Sequence, residues 1–111
     1  MVPVLVVEQW QRTAYVGQTA VLPCHPTVKK DVDWKYQATK DGFEDYVYSN
    51  GVMYERFRDR FSVLKSNDHD YDLIVSNVSW SDAGQYICIE DMGLGARHIY
   101  DLIVTGKIAL L

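Results

Sequence analysis

Residues 82–88 read DAGQYIC, and the last of them, Cys88, is one of only two cysteines in the chain. In a β-strand successive side chains point to opposite faces. A strand that turns Tyr86 and Cys88 into a core therefore sends Ile87 and Ile89 to the far side. Two adjacent outward isoleucines need a reason, and the remainder of the chain supplies the context for one.

A chain of 111 residues suits a single core that buries roughly two-thirds of the unfolded surface, and is short for two. Its net charge is -4, with lysines and arginines scattered rather than clustered, so it carries no footprint for nucleic acid or an anionic membrane. The longest apolar runs, at 4–7 and 108–111, fall far short of the roughly 20 residues that span a bilayer. Met1 is followed by no basic n-region and no long apolar stretch, so no signal peptide is read here. Cys24 and Cys88 form no Cys-x-x-Cys, which suits a structural cross-link better than a metal site or redox pair. Closing so long a loop would stabilise the fold by about 4 kcal/mol. Two separate buried thiols are the alternative, because free cysteine packs as a small hydrophobe.

No window of helix length carries a sustained i, i+3, i+4 apolar pattern, while Tyr, Val, Thr and Ile favour strands. The chain reads as all-β, with strands over Leu5–Glu8, Thr13–Val16, Thr19–His25, Asp31–Gln37, Asp45–Tyr48, Val52–Tyr54, Arg60–Leu64, Tyr71–Ser76, Gly84–Glu90 and Arg97–Val104. So many short strands divided by turn residues suggest a sandwich. Asn50-Gly51 is the strongest turn, since both residues tolerate the positive φ of a type I′ hairpin. Pro23 sits awkwardly in its strand because it cannot donate to a ladder. Residues 1–104 are read as one domain and 105–111 as a tail or linker.

With Cys24, Trp34, Tyr86 and Cys88 in this arrangement, the chain resembles an immunoglobulin domain of the variable (V-set) type. Arg60-Phe61-Ser62, Leu73-Ile74-Val75 followed by Asn77-Val78, and Asp82-Ala83-Gly84 sharpen the resemblance, which covers residues 4–104. It implies an antiparallel β-sandwich of Greek-key topology, with a Cys24–Cys88 disulfide joining the sheets and Trp34 covering it. It also implies a Tyr86 hydroxyl bonded to nearby backbone, and an Arg60–Asp82 ion pair closing one end. Rearranging antigen receptors open their last strand with Phe-Gly-x-Gly; here the nearest run is Met92-Gly93-Leu94-Gly95, without the phenylalanine. The resemblance is therefore to a non-rearranging immune-type or adhesion receptor, with at most a vestigial joining-like strand, and a plain hairpin turn explains the glycines equally well.

Parity then assigns faces. With Trp34 inward, the outward residues of the strands that the family labels C, C′, F and G include Gln37, Tyr46, Tyr48, Ile87, Ile89 and Ile99. An apolar, aromatic patch across several strands marks a contact surface, although single exposed isoleucines are ordinary. In paired variable domains this face is the dimer interface, and a glutamine at the position of Gln37 bonds to its counterpart. The resemblance thus implies an extracellular or cell-surface domain of an immune-type or adhesion receptor. Its partner would be a protein, either a second copy or another cell-surface receptor. A loop-mediated recognition module, using Pro26–Lys30, Asn50–Gly51 and Glu90–Gly95, and a passive spacer are the alternatives.

No recognisable set of nucleophile, base and pocket is present, so no enzyme and no cofactor are expected. His25, His69 and His98 lie on different elements and read as surface or edge residues, not metal ligands. The Asp68, Asp70, Asp72 alternation lacks the glycine and closing glutamate of an EF-hand and reads as a solvated turn. Asn77-Val78-Ser79 is a glycosylation sequon on the turn before the penultimate strand. Trp10 and Trp80 are expected to pack in the core or at the sandwich ends, the alternative being that they anchor a partner, since tryptophan is rich in binding hot spots.

Overall fold

In the computed structural model, which describes residues 7–27, 30–65 and 71–106, nine strands form two facing sheets. The strands are β1 (Val7–Tyr15), β2 (Ala20–Leu22), β3 (Asp33–Gln37), β4 (Glu44–Ser49), β5 (Val52–Met53), β6 (Phe61–Leu64), β7 (Asp72–Val75), β8 (Gly84–Ile89) and β9 (Arg97–Thr105). One sheet runs β1-β9-β8-β3-β4-β5 and the other β2-β7-β6. The chain crosses between sheets after β1, β2, β5 and β7, which gives the expected all-β immunoglobulin-like sandwich. The D–E turn at 66–70 and the tail beyond Gly106 lie outside the described residues.

Period-two burial builds the core. Leu22, Trp34, Val47, Leu73, Val75 and Cys88 are fully buried between the sheets, with Cys24 and Tyr86 at 1% exposure. A Cys24–Cys88 disulfide joins β8 to the segment just after β2 and so ties the two sheets covalently. Trp34 stands directly opposite Cys88 in the β3–β8 register and donates its indole N–H to the Tyr71 carbonyl at 2.6 Å. The largest buried ring thus leaves no polar atom unsatisfied.

Two differences from the expected strands have clear causes. The described part of the predicted strand at 5–8, residues 7–8, and the predicted strand at 13–16 through Tyr15 are parts of a single strand, because Gln9-Trp10-Gln11-Arg12 contains no breaker and pairs without interruption along β9. That pairing is parallel, whereas the other strand pairs are antiparallel. β2 stops at Leu22, just before Pro23, where the ladder would lose a donor.

Tyr48 also departs from its expected outward position. The β3–β4 register shifts between Trp34 and Lys35, so Trp34 faces Tyr48 while Lys35 faces Tyr46. The extra residue is Val47, and both Val47 and Tyr48 consequently enter the core. Strict alternation cannot anticipate that reversal. Beyond it, Asn50 (φ 53°) and Gly51 (φ 76°) form the tight turn into β5.

One end of the sandwich is closed by ionic and hydrogen-bonding contacts. Arg60 donates to both carboxylate oxygens of Asp82, at 2.7 and 2.8 Å, and to the carbonyls of Ser76 and Asn77. The Ser79 N–H donates to Asp82 at 2.8 Å, and the Tyr86 hydroxyl donates to the Asp82 carbonyl at 2.7 Å. The Tyr36 hydroxyl donates to the Ala83 carbonyl at 2.6 Å. Gly84 follows at φ 143°, and a Cβ there would lie 2.8 Å from both the Gln37 carbonyl and the Tyr36 ring, so only glycine fits. Trp80 lies at this sandwich end, one of its two expected places, but is 62% exposed there, while Trp10 stacks on Tyr100 with ring centroids 5.0 Å apart.

Burial by itself would raise the Asp82 carboxyl, but the Arg60 and Ser79 hydrogen bonds outweigh it and hold its pKa below the ordinary value. A depressed folded-state pKa contributes stability that is present above the unfolded value and is lost as pH falls through the folded one. Thermal denaturation across acid pH should therefore show wild-type stability declining below about pH 4. An Asp82→Asn variant should melt lower at neutral pH and show a flatter acid limb; a parallel pair of pH curves would contradict the assignment.

Candidate protein-binding face

The outer face of the six-stranded sheet is built in rows set by register. One row reads Tyr46, Lys35, Ile87, Ile99 and Gln9 across β4, β3, β8, β9 and β1. A second reads Glu44, Gln37, Gln85, Asp101 and Gln11, and a third Asp33, Ile89, Arg97 and Val7. Ile87 and Ile89 belong to this face and not to the core cluster between the sheets. They are nevertheless only 2% and 4% exposed, which corrects the expectation that they meet a partner directly.

Charged side chains lying over the sheet account for this. Glu44 Oε1, on β4, is 3.8 Å from Lys35 Nζ and 3.6 Å from Arg97 Nη2 on β9. An Arg97–Glu44 contact has to span β8 and β3, so these side chains lie along the face instead of pointing into water. Lys35 Nζ also sits 4.8 Å from the centre of the Tyr46 ring. The alkyl stems of Lys35 and Arg97 flank Ile87 and Ile89 as direct cross-strand neighbours. The isoleucines form an apolar floor beneath a thin layer of charge.

The remaining members of the expected patch differ in availability. Tyr46 is 41% exposed and stacks on Tyr54, itself 43% exposed, with centroids 5.6 Å apart. Ile99 is half-buried between Ile87 and Gln9. Gln37 lies on the face, but its amide N–H groups donate to the Lys40 and Gly42 carbonyls of its own turn, at 3.0 and 2.8 Å. Only its carbonyl oxygen is left for a counterpart. Asp101 accepts from Gln85 at 2.9 Å and Gln9 at 3.2 Å, which makes the lower part of the face polar.

Three residues outside the expected patch stand out at the margins, Phe43 not singled out by the sequence reading and Met92 and Leu94 named there only within the Glu90–Gly95 loop. Phe43, in the β3–β4 turn, is 91% exposed; Leu94 and Met92, in the β8–β9 turn, are 84% and 76% exposed. Their signal was present, since apolar residues in polar turns are unusual, but period-two arguments do not reach into turns. The β8–β9 turn is also strained: Asp91 (φ 49°) and Met92 (φ 54°) both adopt left-handed conformations. Their N–H groups bond the carbonyls of Lys30 and Asp31, fixing the turn against the β2–β3 connection. Gly93 and Gly95 therefore belong to a hairpin turn preceding β9.

His98, expected at the surface, is buried: it is on the inward parity of β9, with Nε2 2.7 Å from Glu90 and Nδ1 3.4 Å from Glu8. Asp72 accepts from the Cys24 N–H at 2.9 Å and so serves the fold. Asp68, His69 and Asp70 lie outside the described residues. Among the described residues no group of three or more His, Cys, Asp or Glu could hold a metal, and no helix is long and apolar enough to cross a membrane.

A two-sheet sandwich with a cross-sheet disulfide, a tryptophan over it and a covered C–C′–F–G face defines a variable-type immunoglobulin domain. The Immunoglobulin V-set domain family matches residues 7–104, and the chain belongs to that family. No curated protein matches the sequence significantly. Among solved structures, the first Ig domain of the mouse polymeric immunoglobulin receptor is similar, with a TM-score of 0.70 at 15% identity, covering 90% of this chain and 93% of that one. The extracellular domain of the voltage-gated sodium channel beta4 subunit, solved as parallel homodimers with a role in cell-cell adhesion, gives 0.69 at 19% identity, covering 97% and 100%.

Because Ile87 is fully packed, Ile87→Asp would bury an unpaired carboxylate and should cost about 3 kcal/mol or more of stability. Denaturant titration measures this directly. A midpoint within error of wild type would mean that the layer above Ile87 opens freely.

Proposed function

We propose that this chain is the protein-recognition domain of an immune-type or adhesion receptor, displayed outside the cell, and that it binds through the outer face of β4, β3, β8 and β9. The observation that carries this reading is the distribution of apolar exposure. Tyr46 and Tyr54 form an exposed aromatic pair, Phe43 and Leu94 project from turns at the margins, and Ile87 and Ile89 provide a rigid floor. Interfaces combine an apolar centre with a polar rim, and the Gln9, Gln85 and Asp101 group provides such a rim. The occupant is a protein surface, either another receptor or a second copy of the domain. The Cys24–Cys88 disulfide supports an oxidising, extracellular setting.

Under this reading the expected patch is revised to Tyr46, Ile99 and the Gln37 carbonyl, joined by Phe43, Tyr54 and Leu94. Lys35, Arg97 and Glu44 act as a gate of charge over the floor, each exposed ion pair contributing little stability by itself. Tyr46→Asp and Phe43→Asp should fold normally by circular dichroism and lose capture of the cognate surface protein on receptor-bearing cells. Retained capture by the folded variants would remove the face from the mechanism.

Asn77 is exposed, in a left-handed turn conformation (φ 50°), at the Arg60–Asp82 end. It is proposed to carry the N-linked glycan, leaving the face uncovered. Secreted from eukaryotic cells, the domain should lose mass on glycosidase treatment, and Asn77→Gln should abolish the difference; an unmodified wild-type mass would contradict this.

A further inference from the structure

β1 is an edge strand of unusual length and pattern. It occupies one end of the six-stranded order and runs for nine residues. Among the described residues, no strand pairs with its outer side. The direction of its free backbone groups follows from one hydrogen bond: the Val16 N–H donates to the Thr105 carbonyl at 2.9 Å. Alternate residues of a strand send both backbone groups to the same side, and the β1–β9 register is unbroken. Glu8, Trp10, Arg12 and Ala14 therefore bond β9, while Val7, Gln9, Gln11 and Thr13 present N–H and C=O to the open side. An edge of this kind is a template for another strand.

The sequence along this edge is self-complementary. Residues 7–13 read VEQWQRT. About Trp10 the flanking positions match in pairs: glutamine with glutamine, glutamate with arginine, β-branched valine with β-branched threonine. We infer that β1 pairs antiparallel with β1 of a second copy about a two-fold axis at Trp10, making one continuous sheet across two domains. Gln9 then exchanges both backbone hydrogen bonds with Gln11 of the second copy, and Val7 does so with Thr13.

Trp10 meets its own counterpart at a non-hydrogen-bonded pair, the closest kind of cross-strand neighbour. Glu8 faces Arg12 of the second copy twice, once on each side of the axis. Centring the axis on Glu8 or on Arg12 would instead place like charges opposite each other, and the Trp10 axis is the one that sets Glu8 against Arg12, so charge favours this register. Glu8, Trp10 and Arg12 are all on the inward parity, beside an open cleft of about 310 Å³ that they line with Pro23, His25, His98 and Tyr100. The second copy's Trp10 and Arg12 would project over that cleft. This association leaves the outer face of β4, β3, β8 and β9 free, and so is independent of the function proposed for it.

Sedimentation equilibrium of the purified chain tests the pairing. The wild type should form a dimer. Gln11→Pro removes a free N–H without touching the β9 ladder and should weaken dimerisation by about tenfold or more. Glu8→Arg and Arg12→Glu should each be monomeric alone yet form a heterodimer when mixed, since mixing restores both charge pairs. Tyr46→Asp, on the outer face, should leave the dimer intact. A wild type that stays monomeric at the highest attainable concentration overturns the inference. So does a dimer unaffected by Gln11→Pro, or a mixture of folded charge variants that fails to associate.

Discussion

The covalent bond from Cys24 to Cys88, with Trp34 packed over it, fixes the two sheets against each other at the middle of the sandwich. The elements described here take their positions from that joint. β8 carries Cys88 and lies at the centre of the larger sheet, flanked by β3 and β9, so holding β8 holds the strands that make up the outer face. The Arg60–Asp82 contact and the Tyr86 and Tyr36 hydroxyls then secure the end of the sandwich where the chain enters β8. Gly84 lets the backbone pass under Tyr36 at that point.

A rigid centre gives the outer face an unusual construction. Apolar side chains on both sides of β8 would expose a greasy stripe to water, and the chain covers it with its own Lys35, Arg97 and Glu44. Long charged side chains can shield hydrophobic surface along their stems while keeping their heads hydrated. Such a layer costs little to rearrange, because exposed ion pairs are weak. The face is thus closed in the free domain, and under the proposed reading a partner that brings its own counter-charges would displace this layer. Tyr46, which contacts both Lys35 and Tyr54 and is already exposed, would need no such opening under that reading.

The margins and the edge behave differently from the face. The β8–β9 turn holds Asp91 and Met92 in strained backbone conformations, fixed by bonds to the neighbouring connection, and presents Met92 and Leu94 outward. β1 pairs with β9 in an unbroken register, and its uncommitted capacity is backbone. Two surfaces of distinct chemistry therefore coexist: a side-chain surface on the sheet and a backbone surface along its rim.

The residues themselves determined the architecture, because each sandwich feature rests on a local requirement: sulfur at Cys24 and Cys88, a large ring at Trp34, an acid at Asp82, no side chain at Gly84. Parity likewise placed Ile87 and Ile89 on the outer face. The burial of those isoleucines was decided only in three dimensions, since their cover comes from Arg97 and Glu44, distant in sequence and separated by two strands. Tyr48 turned inward because of a one-residue bulge opposite Trp34, and no alternation pattern reveals where a ladder slips. The merging of the first two strands followed from the uninterrupted β9 beside them, which offered partners to the polar residues between. Local chemistry set which residues could make the fold; long-range pairing set which of them remained on the surface.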